Sequence, residues 1–151
     1  MPPLPQVRRL VAGEAAVAAP LFALYREFYE QPYDEQVAER FLRDRLSREQ
    51  SIVLIAELDS TAVGFTQLYP GFSSVAAAPS WLLNDLYVLD SARGNGVATA
   101  LLNEAERLAR AAGAVSLTLE TAHTNVVAQR LYEREGYRRD EEYITYEKSL
   151  T

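Results

Sequence analysis

The segment Leu86–Ala112 constrains this chain more than any other. An apolar strand-like run, Leu86-Tyr87-Val88-Leu89, ends in Asp90-Ser91-Ala92-Arg93-Gly94-Asn95-Gly96. Apolar residues then recur at Val97, Leu101, Ala105 and Leu108, spaced i, i+4, i+8 and i+11. Extended and helical patterns therefore meet across one glycine-rich turn, and Gly113 supplies the helix stop. A unit of this kind belongs to an α/β layer structure, with a right-handed crossover wherever it joins parallel strands.

The rest of the chain extends this pattern. Gln6–Val11 reads as a short strand. Glu14–Glu30 reads as a helix with Leu21, Leu24, Tyr25, Phe28 and Tyr29 on one face, and Pro20 either starts its regular part or kinks it. Asp34 has the character of an N-cap for a second helix reaching Ser47, with Val37, Phe41 and Leu42 inward. Ser51–Glu57 and Ala62–Tyr69 flank a hairpin turn at Leu58-Asp59-Ser60-Thr61. Pro70 is expected to stop the second of these strands, leaving loop up to Pro79. Trp81–Leu89 is the next strand, Val115–Glu120 another, and Asn125–Glu135 a helix ending at Gly136. Tyr137–Ser149 is expected to give one or two last strands. The predicted order is β-α-α-β-β-β-α-β-α-β(β), a mixed sheet flanked by helices, in a single domain of residues 1–151.

Composition removes several classes of chemistry. There is no cysteine and a single histidine, His123. Disulfide scaffolds, cysteine-ligated metals, a cysteine nucleophile and multi-histidine metal sites are thereby excluded. The formal net charge is −6, with 7 basic against 10 acidic residues in 1–75 and 8 against 11 in 76–151. No basic patch stands ready to neutralise phosphates, so no nucleic-acid partner is expected. The longest apolar stretch, Ala15–Tyr25, is too short to span a bilayer and contains Pro20. A cytoplasmic protein without a membrane partner is the expectation.

Free N–H groups at a helix start, backed by the helix dipole, form an anion site. Gly94 and Gly96 allow close approach of an anion to the backbone, and small Ala98 and Ala100 leave room beside it. The turn lacks the Gly-Lys-Ser/Thr of a P-loop. It also lacks the third glycine of a dinucleotide fingerprint, because Thr99 stands there.

The spelling Arg93-Gly94-Asn95-Gly96-Val97-Ala98 matches Q/R-x-x-G-x-G/A, the acetyl-CoA pyrophosphate loop of the GNAT N-acetyltransferase superfamily. Downstream, Asn125-Val126-Val127-Ala128-Gln129-Arg130-Leu131-Tyr132-Glu133-Arg134-Glu135-Gly136-Tyr137 resembles the N-x-x-A-x-x-L-Y-x-x-x-G-F/Y signature of the same superfamily. The departures are Ala98 for the commoner last glycine and Tyr137 for the commoner Phe. Element order fits the superfamily over nearly the whole chain, most weakly in residues 1–50.

The resemblance implies acetyl-CoA as co-substrate, no metal, and direct attack by an amine through a tetrahedral intermediate. Backbone groups of Leu86, Tyr87 and Val88 would hold the pantetheine arm, and those of Arg93, Gly94, Asn95, Gly96, Val97 and Ala98 the pyrophosphate. Asn125 would steady the cofactor arm, and Tyr132 would be the general acid toward sulfur. Glu120 is the first candidate for the base and Asp85 the second. Tyr29, Tyr33 and Phe72 are candidates for an apolar or cation–π wall around the amine. Each has a plainer reading: a turn and helix cap at 93–98, a core tyrosine at 132, an N-cap at 125, an exposed strand end at 120. His123 reads as a loop residue. The acceptor expected is a small-molecule primary amine. A protein N-terminus or lysine is the alternative, and a non-catalytic acyl-CoA-binding domain the competing class. Members of the superfamily often dimerise through their last strands, so a homodimer is expected from resemblance.

Overall fold

A computed structural model describes residues 3–151. The chain forms two compact units, the first ending at Glu120 and the second spanning Thr121–Thr151.

The first unit holds a five-stranded sheet in the order β1-β2-β3-β4-β5. Its strands are β1 (Gln6–Arg9), β2 (Ile52–Leu58), β3 (Thr61–Ser73), β4 (Ala78–Val88) and β5 (Leu117–Thr118). The first four run antiparallel to their neighbours, and β5 lies parallel to β4. Helices α1 (Ala15–Phe28) and α2 (Glu35–Ser47) lie between β1 and β2 in the chain. Helix α3 (Val97–Ala111) is the crossover from β4 to β5.

Residues Ile52–Ala56 of β2 are all buried, as expected of a strand covered on both faces. On one face, Val53, Ile55 and Phe65 join Phe22 and Ala23 of α1 and Ala38 and Leu42 of α2. On the other, Gly64 lies so close to Val97 and Leu101 of α3 that a Cβ there would come within 3.0 Å of the Val97 side chain. Adjacent residues of a strand face opposite ways, so Gly64 and Phe65 mark the two sides of the sheet.

Local chemistry explains the element ends. The Asp34 carboxylate accepts from the Gln36 and Val37 N–H groups at 3.0 and 3.1 Å, capping α2. Asp59 and Ser60 both take positive φ (48° and 65°), the backbone that a two-residue hairpin turn requires. The inward face of α1 is carried by Ala18, Ala19, Phe22 and Ala23 together with Leu21, whereas Phe28 and Tyr29 at its end are exposed. On α2, Ala38 and Leu42 are buried, and the expected core residues Val37 and Phe41 stand at the solvent margin.

Pro70 does not end its strand. β3 runs on to Ser73, paired with β4 through Pro70 opposite Trp81 and Ser73 opposite Ala78. Pairing with β2 stops at Leu68, so beyond it β3 is an edge strand on which a missing N–H breaks no ladder bond. The expected strand 115–120 shortens to two residues.

The second unit contains α4 (Val126–Arg134), capped by the Asn125 side chain, which accepts from the Ala128 N–H at 3.2 Å. No strand occurs among residues 137–149, contrary to the expectation from sequence. There Asp140 Oδ1 accepts from the N–H groups of Glu142 and Tyr143 at 2.9 and 3.2 Å, a local turn that competes with strand pairing. Among the described residues no helix is long and apolar enough to cross a membrane.

Candidate active site

The first unit has a bulge in β4. Gln67 pairs with Asp85 and Leu68 with Leu83, so Asn84 is an extra residue with no partner in the register. Bulges of this kind re-aim neighbouring side chains and occur beside active sites. The Asp85 carboxylate is 2% exposed. Its Oδ1 accepts from Asn84 Nδ2 at 2.7 Å, and its Oδ2 from Gln67 Nε2 at 2.6 Å. The Thr66 hydroxyl donates to the Asp85 backbone carbonyl at 2.7 Å, and the Tyr25 hydroxyl to the Asn84 carbonyl at 3.3 Å.

Burial pushes the Asp85 carboxyl above the usual carboxylate range, while the bonds from Gln67, Asn84 and Tyr25 act in the opposite sense. The same burial acts on Tyr69, whose phenol is pushed up to about 12 by desolvation and by Asp85, with Arg45 opposing. The Arg45 guanidinium lies 4.9 Å from the centre of the Phe41 ring. The carboxylate therefore sits in a buried polar site. Phe22 and Tyr25 of α1 both stand edge-on to Phe65, at 5.9 and 5.8 Å between ring centres.

β4 is paired with β5 only at Trp81 and Leu82. Among the described residues, no strand pairs with the second edge of β4 from Leu83 to Val88. At the end of this edge, a short 3₁₀ turn, Asp90–Ala92, leads into the glycine turn. Gly94 and Gly96 both take positive φ, 82° and 75°, which L side chains rarely adopt. Gly96 is the N-cap of α3 and supplies no side-chain cap, and a helix start of this kind is where an anion can be received. Asn95 braces the turn through Nδ2 to the Ala92 carbonyl at 2.9 Å. Arg93 is exposed and paired with Asp90 at 3.0 Å.

The other predicted residues are distributed as follows. Glu120 is exposed and lies two residues past β5. Tyr29 packs on Tyr25 and Phe28, at 5.0 and 5.2 Å between ring centres. The Tyr33 hydroxyl donates to Glu35, and Phe72 is 85% exposed on the β3–β4 hairpin. Among the described residues, no ring contact joins Tyr29, Tyr33 and Phe72 into a wall. In the second unit, Tyr132 is partly buried and stands edge-on to Tyr137 at 5.9 Å, and His123 is exposed. Asn125 performs the helix capping that its position allows. Gln67 and Asn84 carry no role in the sequence reading, and Tyr25 appears there only as a helix-face residue. The trace they leave there is Thr66-Gln67, two polar residues inside an otherwise apolar strand.

The first unit thus carries a sheet whose β4 is paired along only part of its second edge, a glycine turn without a side-chain cap and a buried carboxylate on β4. The chain belongs to the acetyltransferase (GNAT) family, whose family model matches residues 18–137, and it is an acyltransferase. It is 46% identical over 140 residues to the uncharacterized N-acetyltransferase YhfO of Bacillus subtilis, covering 93% of this chain and 94% of that protein. A crystal structure of a probable acetyltransferase superposes with a TM-score of 0.91 at 37% identity, covering 97% of this chain and 98% of that one. An aminoglycoside N(6')-acetyltransferase type 1 of Klebsiella aerogenes is 32% identical over 104 residues, 63% of each chain.

Proposed function

We propose that this N-acetyltransferase moves acetyl from acetyl-CoA to a primary amine of a small molecule, with Asp85 as the base. The observation that carries the reading is the buried carboxylate at the β4 bulge, beside a strand edge left open from Leu83 onward. An alkylammonium has a pKa near ~10.4, so the acceptor arrives protonated and must lose a proton before it can attack. A carboxylate whose pKa is raised by burial suits that task better than an exposed one such as Glu120. Asp85 takes the proton directly or through one water. The neutral nitrogen then attacks the thioester carbonyl carbon to give a tetrahedral intermediate, which loses a second N–H proton and collapses with the carbon–sulfur bond broken and the sulfur protonated.

Backbone groups of Leu86–Val88 would hold the amide arm, and the turn from Arg93 to Ala98 the pyrophosphate. Asn125 and Tyr132 keep the roles their signature implies, steadying the arm and giving a proton to the leaving sulfur. The family match runs across residue 121 and supports reading 1–151 as one working domain. The small-molecule acceptor is supported by the relative named for aminoglycosides and, weakly, by the acidic balance of the chain.

The test is CoA release from acetyl-CoA across polyamines, amino acids, aminoglycosides and basic peptides. Asp85→Asn, Glu120→Gln and Tyr132→Phe are compared with wild type. Turnover with a small amine that falls ~10²-fold or more in Asp85→Asn and Tyr132→Phe is the expected result. Turnover confined to peptides would overturn the acceptor class, and a loss in Glu120→Gln alone would move the base.

A further inference from the structure

Gln67 carries an unusual imbalance. It is fully buried, its Nε2 donates to Asp85 Oδ2 at 2.6 Å, and its Oε1 is buried without a hydrogen-bond partner among the described residues. A buried acceptor left unpaired destabilises a fold by ~1–3 kcal/mol, and an apolar residue of similar size would avoid that cost. The two residues face each other across β3 and β4 in direct register, so their contact is fixed by the sheet rather than by flexible stems. A side-chain amide presents a donor and an acceptor that exchange places by a half-turn about its last torsion.

We propose that Gln67 is a positioning residue for Asp85 that serves both protonation states of the carboxylate. Nε2 donates to it when it is ionised, and Oε1 accepts from its O–H once it has taken a proton. The unpaired oxygen of one state is the partner of the other. The separation of 2.6 Å falls within the usual range for O–H···O, so the half-turn needs no movement of either strand. The proton balance is simple. Asp85 gains the proton that the acceptor's ammonium loses, and Gln67 itself neither gains nor loses one. The proposal rests on Asp85 being the base.

Of the two side-chain amides on Asp85, Asn84 is exposed and Gln67 is buried, so Gln67 is the one whose oxygen has no solvent to turn to. From α1 Asp85 meets the Tyr25 hydroxyl, and from its own strand the Asn84 amide. Tyr69 of β3 feels both Asp85 and Arg45 of α2, and its phenol stays protonated at neutral pH. The donor half of Gln67 favours the ionised carboxylate, opposing burial.

The test uses the full chain without substrate. Carboxyl-carbon NMR follows Asp85, and side-chain amide NMR follows Gln67. In wild type the Gln67 amide signals should move with the Asp85 midpoint. Gln67→Met loses a charge-assisted bond to the ionised form and a weaker one to the protonated form. The midpoint should therefore rise by about one unit, and the acid limb of kcat/KM with it. Should Gln67→Met fail to fold, Gln67→Glu places a second carboxylate there, and the pair should titrate in two separated steps. Gln67 signals indifferent to pH, or an unmoved midpoint in Gln67→Met, would overturn the inference while leaving Asp85 as base. A midpoint that moves without the acid limb would keep the pairing and overturn Asp85 as base.

Discussion

At the scale of a residue, Asp85 is held in a place that water would not choose for a charge. Its folded-state pKa lies above that of an unfolded aspartate, about 3.9. Between those two values the folded chain binds more protons than the unfolded one, so stability falls as pH rises through that window. Above it, ionised Asp85 is a constant cost. Asp85→Asn removes the charge and gives Gln67 Oε1 an amide donor. This variant should melt a few degrees higher than wild type at neutral pH while losing turnover. The gain should vanish below about pH 4, where Asp85 is protonated in both states. Thermal melts at pH 4 and pH 7.5 check this. An equal or lower melting temperature at both would mean that the carboxylate is stabilising where it stands.

At the scale of an element, the glycine turn ahead of α3 shows how a sequence signal becomes a site. Gly96 has open space around a notional Cβ, yet its φ is +75°. A β-branched residue there would meet no clash and would still be strained, because its own backbone opposes the left-handed conformation. Gly96→Val should relieve that strain by rearranging the turn and so misdirect the N–H groups of the first helical turn. Calorimetry should find CoA binding lost or weakened at least tenfold, with the protein still folded by circular dichroism. Wild-type affinity would refute the loop as the phosphate site. The same comparison explains what was legible in the sequence. Elements with a chemical mark at each end, such as α2 between Asp34 and Ser47 or α3 between Gly96 and Gly113, are found within a residue or two. Elements decided by pairing are not. Pro70 stays in β3 because β2 has already ended, and 137–149 stay unpaired because Asp140 engages its own backbone. Gln67 is a plain polar residue until the register sets it against Asp85, a fact that no local pattern contains.

At the scale of the whole molecule, the governing quantity is the net charge of −6. The ion pairs on α2 and α3 are local, joining Arg43 to Glu39, Arg107 to Glu104 and Arg110 to Glu106. Exposed pairs of this kind each contribute less than ~1 kcal/mol, and they do not change the sum of the charges. An acidic protein attracts a cationic acceptor and repels anions, over a distance set by salt, about 10 Å at 0.1 M. With acetyl-CoA saturating, kcat/KM for the acceptor isolates its own encounter with the protein. It should fall several-fold between 20 and 300 mM NaCl for a polyamine, and less for a monoamine. For a zwitterionic amino acid it should hardly change. The ordering by acceptor charge is the diagnostic, because a salt effect on the fold would lower all three alike. Equal slopes would show that charge on this surface plays no part in choosing the acceptor. Selection would then fall to the buried pair of Asp85 and Gln67 and the groups around it.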